Sequence, residues 1–392
     1  MKRVILIVMD GCGVGALPDA ARYGAADALS ATLPHVGEAV GGLSLPCLQS
    51  LGLGNIAPML GVAPQPALGG WGKMAEASQG KDSVTGHWEL MGSVTEMAFP
   101  TYPHGFPADL LARFEREIGR GALGNRAASG TEILSQLGME HLQTGKLIVY
   151  TSADSVFQVA AHEDVVPLAD LYAMCETARN ILQAPNNVQR VIARPFVGNT
   201  PQTFRRTEHR KDYPLAPPPG NLLQALQDSG KTTQAIGVVA DLFPRALFAK
   251  AERTQNNPAH LHAILNAVQS GTDDLVFANC EDFDMLYGHR NDAPGFAQCL
   301  RDFDDALPAI LAALRPDDLL LLTADHGNDP ITPSTDHSRE YVPLLAFAPD
   351  GAVQGNLGTR STFADAAATI AHWLGVDWYG PGASFAAVQH SP

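Results

Sequence analysis

Two Asp-His pairs, Asp325-His326 and Asp336-His337, stand in the stretch LLLLTADHGNDPITPSTDHSRE at residues 319–340. Carboxylates and imidazoles are oxygen and nitrogen ligands suited to divalent cations, and neither needs a thiolate beside it. Two further segments carry the same residue types. Asp10 follows the apolar run VILIVM at 4–9, and EDFDMLYGHRND at 281–292 offers Asp284 and His289 after the run LVFA at 275–278. Asp10, Asp284 and Asp325 with His289, His326 and His337 make three carboxylates and three imidazoles, enough for two metals. A two-metal site clamps the attacking and leaving oxygens of phosphoryl transfer. The segment GKDSVTGHWE at 80–89 supplies two hydroxyls, Ser83 and Thr85, and a hydroxyl near a metal can be made nucleophilic and carry a phosphoenzyme. The alternative is ordinary structure: loop charges, a solvated histidine, Asp10 or a hydroxyl as a helix cap.

The elements must place these groups together. Short apolar runs bounded by turn residues read as buried parallel strands, and ligands of open α/β sheets bind where such strands end. The runs at 4–9, 235–239, 275–278 and 319–322 all fit this pattern. Asp10-Gly11-Cys12-Gly13-Val14-Gly15 lacks the dinucleotide spacing, and Gly80-Lys81 lacks the earlier glycine of a phosphate-binding loop. Residues 30–72 predict only short helices and turns. Prolines near 100–107 and 214–219 bracket a separate αβ unit, with strands at 147–150 and 191–193 and a helix at 168–182. The expected architecture is therefore a discontinuous core, 1–96 and 217–392, interrupted by an inserted cap, 97–216. Arg194, Arg205-Arg206 and His209-Arg210-Lys211 give that insert a basic excess suited to a phosphate. A second Asp-Phe-Asp at 302–304 sits among apolar residues at helical spacing. Asp302, Asp304 and Asp305 are expected on its polar face, and 362–374 closes as a helix stopped by Gly375.

The 392 residues, 45% hydrophobic and 17% charged, suit a large soluble α/β protein. A formal net charge of −15 argues against general nucleic-acid binding. No apolar run approaches a membrane span, and five scattered cysteines favour reduced thiols. A cytoplasmic protein without an obligatory protein partner is expected.

VMDGCGVG, GKDSVTGHWELMG, ASGTEIL, YTSADSVFQVAAHEDVVPL, RVIARPFVG, EDFDMLYGHRND and TADHGNDPITPSTDHSREYVPLLAF together resemble the phosphopentomutase family of the alkaline phosphatase superfamily, over nearly the full length. The resemblance implies an alkaline-phosphatase-like core whose central, mostly parallel sheet is flanked by helices, with a smaller α/β cap. It implies two Mn²⁺ ions, one held by Asp10, Asp325 and His326 and the other by Asp284, His289 and His337. It implies Thr85, rather than Ser83, as the phosphate carrier, primed by a sugar bisphosphate such as glucose 1,6-bisphosphate. Asp154, Arg194 and Arg210 would contact substrate. The implied reaction interconverts ribose 1-phosphate and ribose 5-phosphate, or their 2-deoxy forms, through a bisphosphate. Two positions depart from the family pattern. Val238 follows Ile236-Gly237 where a phosphate-binding lysine is expected, so Lys231, Lys250 or an arginine replaces it, or the substrate differs. Gly11-Cys12 stands where related chains carry Ser and an apolar residue. The alternatives are a metal-dependent phosphatase or mutase for another sugar phosphate, and a non-catalytic phosphosugar binder.

Overall fold

The computed structural model describes residues 2–152 and 155–386. Its contacts divide into two compact units, one of residues up to Ala98 and from Pro217 onward, the other Phe99–Ala216.

The first unit is built on an eight-stranded sheet. In spatial order the strands are Lys250–Glu252, Thr233–Ile236, Leu275–Cys280, Arg3–Met9, Asp318–Thr323, Val342–Phe347, Gly70–Met74 and Gly355–Arg360. Only the two pairings made by Val342–Phe347 are antiparallel. Arg3–Met9 lies at the centre, wholly buried, because helices on both faces leave a parallel strand no polar side. Its register sets Met9 beside Cys280 and Val8 beside Thr323, so three strands finish level at one edge. At the opposite end Arg3 Nε donates to Asp318 Oδ1 at 2.9 Å, an ion pair that pins the same register.

Several expectations change here. Residues 235–239 do not form one strand: it ends at Ile236, Gly237 turns with φ +75°, and the short helix Val239–Leu242 follows. A Cβ at Gly237 would come within 2.6 Å of Asn279 O, so the glycine is sterically required. The helix Ala293–Ala313 runs through Pro308. Phe296, Leu300, Phe303, Leu307 and Ile310 are buried as their spacing predicts, yet so is Asp304. Its carboxylate accepts from Cys47 N and Leu48 N, at 3.0 and 2.7 Å, capping the helix Pro46–Leu51. Asp304 is therefore a remote cap and not a polar-face charge. The last helix, Ala364–Leu374, stops at Gly375 in the left-handed conformation.

The second unit has its own sheet, ordered Ala122–Ala127, Leu147–Thr151, Val156–His162, Arg190–Val197 and Arg205–Arg206, with Lys211–Pro214 also paired to Arg190–Val197. Strand alternation divides its core. Leu147, Val149, Phe157 and Val159 join Phe114 and Leu171 on one face. Ile148, Tyr150 and Ala160 meet Ile133 and Leu134 of the helix Gly130–Thr144 on the other.

Candidate metal centre

The level strand ends bring the acidic residues together. Asp10, Asp325 and His326 offer ligand atoms within 4.8 Å of one another, and so do Asp284, His326 and His337. His326 thus belongs to both groups. His289 joins through Asp284, its Nε2 being 3.0 Å from Asp284 Oδ2, and its ring centre lies 4.8 Å from that of His337. Gly11, at φ +73°, lets the first loop turn against the Asp284 carboxylate, and its N–H donates to Asp325 Oδ1 at 3.3 Å. Two asparagines fix the remaining oxygens. Asn279 Nδ2 donates to Asp10 Oδ2 and Asn328 Nδ2 to Asp284 Oδ1, each at 2.6 Å.

Two imidazoles have one nitrogen already placed. His289 Nδ1 meets Thr335 O at 2.7 Å, and His326 Nδ1 meets Gly327 O at 3.1 Å. A carbonyl can only accept, so each Nδ1 carries the proton and each Nε2 presents a lone pair when the ring is neutral. Burial lowers the pKa of His326 despite the opposing charge of Asp325. Its Nε2 lone pair then faces Asp10 Oδ1 at 3.4 Å and Asp325 Oδ2 at 3.2 Å. Both oxygens are buried; Asp10 Oδ1 lacks a hydrogen-bond partner, and Asp325 Oδ2 has only His87 Nδ1 nearby, at 3.2 Å, a nitrogen that also meets Ser83 O at 2.8 Å. Carboxylates crowded around one point repel one another, and a cation between them offsets that repulsion. The donor set therefore fits divalent cations. The carboxyls respond to the same crowding. Burial, and then the charges of Asp325 and Asp284, push Asp10 well up. Burial also raises Asp325, but His326 and His87 outweigh it and hold that carboxyl at about 2.

The hydroxyl turn stands at the same edge. Asp82 caps the helix Ser83–Leu90, accepting from Thr85 N at 3.1 Å and from the Thr85 hydroxyl at 2.7 Å. Thr85 is fully buried. Ser83 Oγ lies 3.1 Å from His326 Nε2 and is the hydroxyl seen beside a cluster residue. Gly86 lets this helix press on the cluster, since a Cβ there would meet Asp325 O at 2.2 Å. Glu89, buried in the same helix, gathers the amides of Ala77, Ser78 and Phe363. Asp336 pairs with Lys81 at 3.3 Å, and buried Arg339 donates to Glu76 Oε2 and Gly80 O, each at 2.7 Å. The loop bearing His337 is thereby tied on both sides to the turn bearing the hydroxyls.

Sequence reasoning passed over Asn279, Asn328, His87, Asp82 and Arg339. Asn279 alone left a signal, as a polar residue inside the apolar strand LVFANC. Arg194 and Arg210 lie in the second unit, and Asp154 lies outside the described residues. Arg194 Nε donates to Gln158 Oε1 at 3.0 Å, and burial lowers its pKa to about 10. Arg210 grips Asp212 through two bonds of 2.6 Å. Burial raises the Asp212 carboxyl, but the bonds and charge of Arg210 and the charges of Arg190 and Arg194 outweigh it, leaving the pKa low. Neither lysine proposed to replace the one missing at Val238 is placed to do so. Lys231 pairs with Asp274 and Lys250 with Asp273, both just before the strand Leu275–Cys280 and so at its amino end.

The model of the metalloenzyme superfamily matches residues 2–378. The chain is 51% identical over 386 residues to a phosphopentomutase of Caldanaerobacter subterraneus, covering 98% of this chain and 97% of that one. With a phosphopentomutase of Anaeromyxobacter dehalogenans the identity is 54% over 380 residues, 96% of each. Among solved structures, the PH0037 protein from Pyrococcus horikoshii superposes with a TM-score of 0.50 at 14% identity, covering 97% and 99% of the two chains. That last likeness speaks to the α/β fold alone.

Proposed function

We propose, since the chain belongs to the phosphopentomutase family of the metalloenzyme superfamily, that it interconverts ribose 1-phosphate and ribose 5-phosphate, or their 2-deoxy forms, through a phosphothreonine at Thr85. It is an isomerase of the phosphomutase type on an alkaline-phosphatase-like core. The observation that carries the reading is the convergence of buried Asp10 and Asp325 oxygens on His326 Nε2 beside the Ser83–Leu90 helix start.

Asp10, Asp325 and His326 would hold one divalent cation, and Asp284, His289 and His337 the other, with Mn²⁺ as the proposed metal. Bound there, the pair would supply positive charge to phosphoryl oxygens and lower the pKa of a nearby hydroxyl. Asp82 orients the Thr85 hydroxyl by accepting its proton in a hydrogen bond. Thr85 Oγ forms its bond to the phosphorus of a primer such as glucose 1,6-bisphosphate while the sugar P–O bond breaks, leaving phosphothreonine and a sugar monophosphate. Amide groups at a helix start favour the phosphate's charge. The free hydroxyl of the pentose monophosphate then takes that phosphoryl group, giving a bisphosphate and free Thr85. Return of the other phosphoryl group to Thr85 releases the isomer. Asp154, Arg194 and Arg210 are the proposed sugar-phosphate contacts of the second unit.

Phosphorus NMR of the protein with Mn²⁺, ribose 1-phosphate and a trace of hexose bisphosphate tests this directly. Ribose 5-phosphate without net phosphate release is expected. Val238, with Lys231 and Lys250 committed elsewhere, favours a second reading, action on a different sugar phosphate. Turnover of another sugar phosphate alone would replace the first reading with that one, and inorganic phosphate without ribose 5-phosphate would replace it with a metal-dependent phosphatase.

A further inference from the structure

Glu281 directly follows the strand Leu275–Cys280, at the sheet edge that also gathers Asp10 and Asp325. It reaches toward the neighbour on the other side, Thr233–Ile236. Its Oε2 accepts from Val238 N at 3.2 Å, and a Cβ on Gly237 would lie 3.1 Å from the same oxygen. His260, wholly buried and bonded through Nδ1 to the Thr254 hydroxyl, sets its Nε2 3.4 Å from Oε2 as well. One oxygen of the carboxylate is thus held. The other, Oε1, has no hydrogen-bond partner among the described residues and is open to solvent, the side chain being 19% exposed. No lysine or arginine among the described residues pairs with Glu281 to cancel its charge. That charge is felt at the metal centre. Burial and the charges of Asp325 and Asp284 push the Asp10 carboxyl up, and Glu281 adds to the push.

Holding the Gly237 turn needs only Oε2, and Glu281 belongs to neither group of converging metal donors. A carboxylate without a cation repels phosphate, but it accepts from hydroxyls in charge-assisted bonds. We propose, resting on the mutase reading, that Glu281 selects the sugar at this edge, its Oε1 accepting a hydrogen bond from the C2 or the C3 hydroxyl of the pentose. Val238 N and His260 fix the carboxylate beforehand, so the bond costs little ordering on binding.

Initial rates with ribose 5-phosphate and its 2-deoxy and 3-deoxy forms, under Mn²⁺ and hexose bisphosphate, are compared in the native chain, Glu281→Ala and Glu281→Gln. Glu281→Ala lowers kcat/KM about tenfold or more for ribose 5-phosphate and for one deoxy sugar. For the other, which lacks the partner hydroxyl, it changes kcat/KM less than about twofold. Glu281→Gln keeps an oxygen for Val238 N and repeats the pattern at about threefold, which serves if the alanine variant does not fold. A loss shared equally by all three sugars leaves Glu281 only the turn to hold and overturns the proposal. No loss with any of them does the same. A native chain that turns over none of the three overturns the mutase reading along with this one, and that outcome is seen before any variant is made.

Discussion

Ser83 and Thr85 present the sharpest choice between two similar groups. Ser83 Oγ touches His326, whereas the Thr85 hydroxyl is buried and engaged by Asp82. Proximity to a ligand histidine favours the serine, and a fixed partner for the departing proton favours the threonine. With Thr85 as phosphate carrier, Thr85→Ala loses about a thousandfold or more in kcat and shows no phosphoenzyme by intact mass. Ser83→Ala changes kcat less than about tenfold and still takes up phosphate from the primer. Phosphate lost from the serine variant and kept in the threonine variant would reverse the assignment. The sequence made the six proposed ligands legible because each follows an apolar strand or lies one loop beyond it. It hid Asp82, His87 and Arg339, whose roles depend on neighbours brought close only by folding. Asp336 was without a role in the sequence, and its pairing with Lys81 accounts for it as a tether.

Among the elements, the parallel strands around Arg3–Met9 were readable, and Val342–Phe347 with the two strands beyond it were not. The runs beginning at Val4, Leu275 and Leu319 are buried on both faces and so apolar throughout. Gly355–Arg360 lies at the far edge and Gly70–Met74 is paired between it and Val342–Phe347, and glycine-rich sequences such as GWGKM carry no strand pattern. The Ala293–Ala313 helix shows how one misread residue changes an element's task. Asp304 holds two amide groups of another helix from within a buried contact. Asp304→Ala leaves both donors without an acceptor, Leu48 N in a buried position, and costs about 2 kcal/mol in urea unfolding. Exposed Asp305→Ala, one position on, shifts stability by no more than about 0.5 kcal/mol. Equal effects at the two positions would remove the capping role from Asp304.

For the whole molecule, the two units offer separate reporters. All four tryptophans, Trp71, Trp88, Trp373 and Trp378, belong to the unit that also holds Asp10, Asp284 and Asp325. A cation that binds only the assembled cluster stabilises that unit by about 2.7 kcal/mol at a hundredfold excess over its Kd. Mn²⁺ therefore raises the midpoint of tryptophan-detected melting by a few degrees, and a chelator reverses it. A midpoint indifferent to Mn²⁺ would count against metal binding by this cluster. Burial and the charges of Asp325 and Asp284 push the Asp10 carboxyl up, so Asp10→Asn relieves that repulsion, and the metal-free variant melts no lower than the metal-free native chain while losing most of its response to Mn²⁺.

The pairing of Arg3–Met9 with Leu275–Cys280 and Asp318–Thr323 also has a temporal meaning. On the ribosome this seven-residue, largely apolar strand is complete long before the nearer of its neighbours, which begins only at Leu275. At about 5–20 residues per second that is a wait of roughly 15 to 55 seconds. Phe99–Ala216, whose strands pair only among themselves, is complete well before then. The strand that later presents Asp10 is thus long without partners during synthesis, as is Gly70–Met74, which waits for Val342–Phe347, and both need a chaperone's cover.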